Sequence, residues 1–170
     1  MDLAERIAHH ERMALSYRNA YLDKTVHEGE QYERWTFAAD AIYFSPYFTS
    51  SELKLSEVGS KNGEGATLEA QVYALTFPDW KPQDFKYWTA DHGFVMKTRW
   101  QGTMENDTTM GFYSYSFVDT NEKGEVARWE THVNDEYNPF LEVAVGVTGP
   151  FHGHAEYLDA LRLRLAKEGK

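Results

Sequence analysis

The sequence predicts an α+β fold in which a highly curved antiparallel sheet wraps over N-terminal helices. Three long runs between Asp91 and Tyr137 carry the prediction: residues 94–103, 109–119 and 125–135, each rich in aromatic and β-branched residues. Asn106-Asp107 and the Asn121-Glu122-Lys123-Gly124 stretch punctuate them, so they read as a three-stranded meander. Each run is about twice the usual strand length of about five to six residues, so the sheet should curl and leave a concave side to fill. The chain before the meander supplies helical patterns for that side, and helices followed by a run of strands is an α+β order.

Residues 3–22 carry Leu3, Ile7, Leu15 and Leu22 at helical spacing. A shorter helix is predicted over 27–37, burying Tyr32, Trp35 and Phe37. Residues 41–48 read as a short strand whose pairing Pro46 limits. Residues 49–65, rich in Ser, Gly, Glu and Lys, form a long surface excursion of the length that often serves as a lid. A third helix is expected over 66–75, stopped by Phe77-Pro78-Asp79-Trp80. Residues 83–90 make a strand that turns at Asp91-His92-Gly93 into the meander. Beyond Tyr137 comes an apolar segment broken by Gly and Pro, and a closing helix over 155–166 carries Leu158, Leu161, Leu163 and Leu165.

The 170 residues suit one domain, 1–170, in which 138–170 is a C-terminal extension. The absence of cysteine excludes disulfides, thiol chemistry and cysteine-bound metal. A formal charge of -10 argues against a nucleic-acid partner. No apolar run has the length of a membrane span and the N-terminus lacks the features of a signal peptide, so a cytoplasmic protein without membrane contact is expected. Five Trp, eleven Tyr and ten Phe suit either a large core or a pocket for a flat ligand. The histidines make no metal spacing; His152-Gly153-His154 is the nearest and lacks a third ligand. There is no phosphate loop, nucleophile elbow or dinucleotide fingerprint, so the expectation is chemistry without cofactor or metal.

The stretch from Phe37 to Ala41, the Phe77-to-Trp80 turn, Gly102-Thr103 and the last strand, in that order, resemble the nuclear-transport-factor-2-like superfamily. Within it the chain is most similar to SnoaL-like polyketide cyclases and phenazine-biosynthesis A/B-type proteins. The resemblance implies a cone, a cystatin-like roll with an apolar pocket inside. It leaves the chemistry open, because this fold hosts isomerases, dehydratases, epoxide hydrolases, cyclases and plain binders. Ketosteroid isomerases place a base Asp before a Pro in the first strand, where this chain has Ser45. They place a protonated acid where it has Ser116, and a helix tyrosine that Tyr21 matches. Of the Asp-Arg-Asp set of limonene-epoxide-hydrolase-like enzymes, Arg99 fits the centre, while Gln101 and Thr131 stand where the acids would be. Thr131 also occupies the place of the phenazine proteins' Glu. None of these sites is complete.

Turn lengths set which side chains line the pocket. A four-residue turn at 121–124 pairs Ser116 with Trp129, Ser114 with Thr131 and Phe112 with Val133, on the apolar face. For the strand over 94–103 two registers stay open. A two-residue turn at Asn106-Asp107 points Lys97, Arg99 and Gln101 into the cone. The other register turns them outward and buries Phe94, Met96, Thr98 and Trp100. The resemblance leans to the first, which brings Arg99 to the polar catalytic position.

The candidate catalytic residues are therefore Arg99, Lys97, Tyr21, Tyr43 and His132. Buried phenols donate to a developing oxyanion, a desolvated lysine becomes a base, and His132 would act from the rim. The candidate substrate contacts are Tyr17, Trp35, Ser45, Tyr47, Gln101, Phe112, Ser114, Ser116, Trp129, Thr131 and Val133. Three functions fit. The leading one is a lyase acting on a hydroxylated aromatic or polycyclic compound, by dehydration or by retro-aldol loss of formaldehyde from a lignin-type diaryl diol. The others are a polyketide-type cyclase or isomerase, and a non-catalytic binder. A homodimer through the outer face bearing Tyr113, Tyr115, Arg128, Glu130 and His132 is expected from its exposed aromatics.

Overall fold

The structure, a computed structural model, describes residues 1–32, 34–49, 51–55 and 64–169. Helix α1 (Leu3–Leu22) opens on a capping box: Asp2 Oδ1 accepts from the Glu5 N–H at 2.9 Å, and Glu5 Oε2 accepts from the Asp2 N–H at 2.8 Å. Its buried stripe is His10, Met13, Ala14, Ala20 and Tyr21, whereas Leu3, Ile7 and Leu22 of the expected apolar face are exposed. His10 fixes the facing. Its Nδ1 lies 2.8 Å from the Ala90 carbonyl, which only accepts, so Nδ1 carries the proton and Thr120 Oγ1, at 2.8 Å, donates to Nε2. Burial holds this imidazole below its ordinary 6.5. His10→Leu leaves the Ala90 and Thr120 groups without partners and should destabilise the fold by about 1–3 kcal/mol, read by urea denaturation. In the parent, protonation favours the unfolded chain, so this share of stability is present at higher pH and fades as pH falls below 6.5.

The helix expected over 27–37 is replaced by two 3₁₀ turns, Thr25–Glu28 and Glu30–Tyr32. Gly29, in a left-handed conformation at φ 82°, ends the first. Phe37 instead opens strand β1 (Phe37–Phe44), and the Trp35 indole N–H, just before it, donates to the Met13 carbonyl on α1 at 2.9 Å. Of the excursion expected over 49–65, β2 (Leu53–Lys54) pairs with β1 and residues 64–65 belong to a helix; residues 50 and 56–63 lie outside the described residues. Then come α2 (Glu64–Thr76), β3 (Lys81–Ala90), β4 (Gly93–Thr103), β5 (Thr109–Thr120), β6 (Val126–Val133), α3 (Tyr137–Ala144) and α4 (His154–Lys167). The sheet order is β2-β1-β6-β5-β4-β3. It is mixed rather than purely antiparallel, because β1 runs parallel to β6. The fold is the expected α+β one, a sheet curled over helices, with core clusters on both sides of an interior cavity. Among the described residues no helix is long and apolar enough to cross a membrane.

The turns decide the facing. Between β4 and β5 the last pair is Thr103↔Thr109; Met104 and Thr108 then close a three-residue loop through the Met104 N–H to Thr108 C=O bond at 2.9 Å. Asp107, at φ 64°, takes the left-handed position of this loop type. Three loop residues instead of two move the register by one, and one residue turns every side chain over. Arg99 therefore pairs with Tyr113, Lys97 with Tyr115 and Gln101 with Gly111, all facing outward; Phe94, Met96, Thr98 and Trp100 are buried. This corrects the inward-cation register. Between β5 and β6 a three-residue loop ending at Gly124 (φ 79°) and a bulge at Asp119/Thr120 each move the register by one. Ser116 then meets Thr131 and Ser114 meets Val133, two positions from the expected partners and on the expected face.

Candidate functional site

A cavity of about 590 Å³ lies between the concave face of the sheet and helices α1, α2 and α4. Tyr17, Tyr21, Trp35, Tyr43, Phe112, Ser114, Ser116, Trp129, Thr131 and Val133 line it, as expected from the sequence. Ser45 is buried behind Tyr43, whose hydroxyl bonds the Ser45 and Thr131 side chains. Tyr47 turns to the C-terminal segment, where its hydroxyl donates to Asn138 and accepts from the Gly149 N–H at 2.9 Å.

Arg99, Lys97, Gln101 and His132 stand on the convex side, away from the cavity. Arg99 lies over the Tyr113 ring at 4.9 Å and donates to Glu136 Oε1 at 2.8 Å. Lys97 lies 5.0 Å from the Tyr113 ring centre, and His132 is within 2.6 Å of Glu130. Arg99→Met is accordingly expected to leave turnover at the parent value, checked by steady-state kinetics at saturating substrate.

The chemical centre comes from residues that the sequence patterns had left in helices and in the C-terminal segment. Glu69 and Tyr73 are four apart on one face of α2. Tyr137 opens α3, and His154 and Tyr157 lie in the first turn of α4; all five line the cavity. Tyr157 Oη is 2.5 Å from Glu69 Oε1, 2.6 Å from Tyr73 Oη and 3.0 Å from Tyr137 Oη, and Tyr73 is 2.5 Å from Tyr137. Tyr157 donates to Glu69 Oε1, and the three phenol hydroxyls bond one another around it. Burial pushes Glu69 up to about 7, against the smaller opposing effect of the hydrogen bond it accepts from Tyr157. Burial also holds the phenols of Tyr73, Tyr137 and Tyr157 well above the ordinary tyrosine value, so they remain donors.

The opposite wall is a row of neutral hydroxyls. Ser116 and Thr131 are 3.2 Å apart, Tyr43 bonds Thr131, and Trp100 donates to Ser114 Oγ at 2.8 Å. Trp80 and Trp100 stack with ring centres 4.7 Å apart and planes at 9°. Among the described lining residues there is no lysine or arginine, and Glu69 is the one carboxylate. The arrangement can move a proton at Glu69, donate hydrogen bonds to a nascent oxyanion, and hold flat rings against aromatic walls.

No family model matches the chain, and no curated protein matches it. Among solved structures it is similar to a phenazine biosynthesis-related protein from Pseudomonas aeruginosa, at 14% identity over 87% of this chain and 92% of that one, TM-score 0.48. It is similar to AclR from Streptomyces galilaeus at 15% identity, over 99% and 97% of the chains, TM-score 0.49. It is also similar to an NTF2-like protein of unknown function from Burkholderia pseudomallei K96243, at 12% identity over 80% and 97%, TM-score 0.45.

Proposed function

We propose that this chain is an acid–base lyase of a neutral, hydroxylated aromatic or polycyclic compound, with Glu69 as its proton-transfer group. The observation that carries this is the one carboxyl among the described lining residues, raised to about 7 and facing an aromatic cavity on a scaffold of tyrosine donors. A group poised near the working pH both accepts and returns a proton efficiently. The cavity volume falls within the range of about 300–1,000 Å³ that buries drug-sized ligands. Its neutral hydroxyl wall suits phenol and alcohol groups, whereas a buried carboxylate or phosphate would find no lysine or arginine among the described lining residues.

In a dehydration, the Glu69 carboxylate takes a proton from carbon, the C–H pair becomes the new double bond, and hydroxide leaves from the neighbouring carbon. In the retro-aldol variant the proton comes from a hydroxymethyl O–H and its C–C bond breaks. That pair forms the C=C bond as hydroxide leaves, so a 1,3-diol gives an alkene, formaldehyde and water. The proton held on Glu69 passes to the departing hydroxide, and the enzyme returns to its starting state.

A cyclase or isomerase of the polyketide type would use the same carboxyl to move a proton between carbons. Tyr17 and Tyr21, with hydroxyls 3.3 Å apart, would then bind the enolate oxygen. Incubation with phenolic 1,2-diaryl-1,3-propanediols and with polycyclic hydroxyketones, followed by mass spectrometry, separates the functions. A lyase product lacks water, with or without formaldehyde; an isomer keeps its mass. Tight binding with no product from any member, in parent and Glu69→Gln alike, would leave a binder. We also propose the convex face, where Trp88 and Phe117 are 55% and 45% exposed, as a homodimer surface. Light scattering that gave a monomer at micromolar concentration would remove it.

A further inference from the structure

Glu69 alone must take a proton from one substrate atom and return it to another. The cavity holds a second group able to divide that work. His154 is the first residue of α4, is 9% exposed, and lines the same cavity. Imidazole both accepts and donates a proton near neutrality. In the dehydration or retro-aldol step it would supply the departing hydroxide with its proton.

Its position relative to Glu69 follows from two contacts between helices. His154 and Tyr157 are three apart on α4 and share a face; Gly65 and Glu69 are four apart on α2 and share a face. Tyr157 meets Glu69 at 2.5 Å, and a Cβ built on Gly65 would lie 3.6 Å from His154 Nε2. The pairs 154/65 and 157/69 therefore run in the same direction, and His154 Nε2 stands over α2 one helical turn before Glu69. One turn is about 5.4 Å. That is the scale separating two oxygens of an extended 1,3-diol. Gly65 contributes by what it lacks, since the imidazole packs where a larger side chain would reach. Titratable groups that face His154 include Tyr43 from β1, with ring centres 5.9 Å apart, and Tyr157 from its own helix at 6.2 Å, and Glu69 lines the same cavity.

We propose that His154 is a second catalytic residue, the acid of a Glu69/His154 pair that brackets the two oxygens of a neutral diol. This rests on the lyase reading of Glu69 given above. The Glu69 carboxylate takes the hydroxymethyl O–H proton, the C–C pair becomes C=C, and the C–O pair leaves on oxygen. The imidazolium N–H then completes water. Glu69 afterwards returns its proton to His154, so the cycle balances without any co-reactant.

The test uses the full chain with a phenolic 1,2-diaryl-1,3-propanediol as probe. His154→Gln should lower kcat by about 10²–10⁴-fold and remove one limb of the pH–rate profile. Diol binding, followed by tryptophan fluorescence, should change little, because Trp35, Trp80, Trp100 and Trp129 line the cavity in parent and variant alike. His154→Phe keeps a ring of similar size and serves if the glutamine variant does not fold. Either folded variant turning over at the parent rate, with the parent pH profile, overturns the pair; if Glu69→Gln is inactive in the same assay, the Glu69 reading stands without it. Parent-level turnover by Glu69→Gln overturns both.

Discussion

Glu69→Gln is expected to lose turnover by about 10²–10⁴-fold while becoming more stable than the parent above neutral pH. The two effects share a cause. The folded protein holds the carboxyl up at about 7 against an ordinary 4.5, so it binds that proton more tightly than the unfolded chain does. A raised group contributes its stability in full below 4.5, loses it as pH rises towards 7, and lacks it above. The shift from 4.5 to about 7 corresponds to about 3 kcal/mol, since each pH unit is worth about 1.4 kcal/mol. Glutamine keeps the shape, stays neutral and can still accept from Tyr157. Calorimetry should therefore find the variant melting about 6–12 °C above the parent at pH 8, with the gap closing by pH 4. Equal melting temperatures at pH 8 would show that ionised Glu69 costs the fold nothing.

A chain ended after Glu136 is expected not to fold. Residues 138–170 are an extension in sequence only. Helices α3 and α4 bury Phe140, Leu141, Tyr157, Leu158 and Leu161, each at most 3% exposed. At about 1.5–3 kcal/mol per buried side chain these contribute about 7–15 kcal/mol, as much as the whole stability of a typical domain, about 5–15 kcal/mol. The same segment brings Tyr137, His154 and Tyr157 to the cavity. Near-UV circular dichroism of the truncated chain should be featureless. A soluble product with the parent's aromatic spectrum would mean that the cone closes without these helices.

The meander was legible because its aromatic and β-branched runs and their turn residues are local signals. The inward facing of Ser114, Ser116, Trp129 and Thr131 was legible too, because a loop shorter by one and a bulge each move the register by one and together restore the face. Arg99 had no such cancellation. Its facing hangs on Asp107 entering the left-handed region, which an aspartate permits and nothing in the sequence compels. On α1, counting leucines missed that His10, Met13 and Tyr21 carry the contacts. Helix α3 was hidden by Pro139, taken as a breaker although proline is tolerated in a first turn. Glu69 did leave a signal: a carboxylate four residues after Gly65 and four before Tyr73, on the apolar face of α2. What no local pattern gave was Tyr157, about ninety residues away, whose hydroxyl makes that carboxylate a site.

The titration of the Glu69 side chain decides the matter most directly. Carbon-13 spectra of glutamate-labelled protein, with the Glu69 carboxyl assigned by its loss in Glu69→Gln, should show that one resonance titrating with a midpoint near 7, well apart from the exposed glutamates. A Glu69 carboxyl titrating near its ordinary 4.5 would mean a solvated side chain, and the proposed acid–base centre would be wrong.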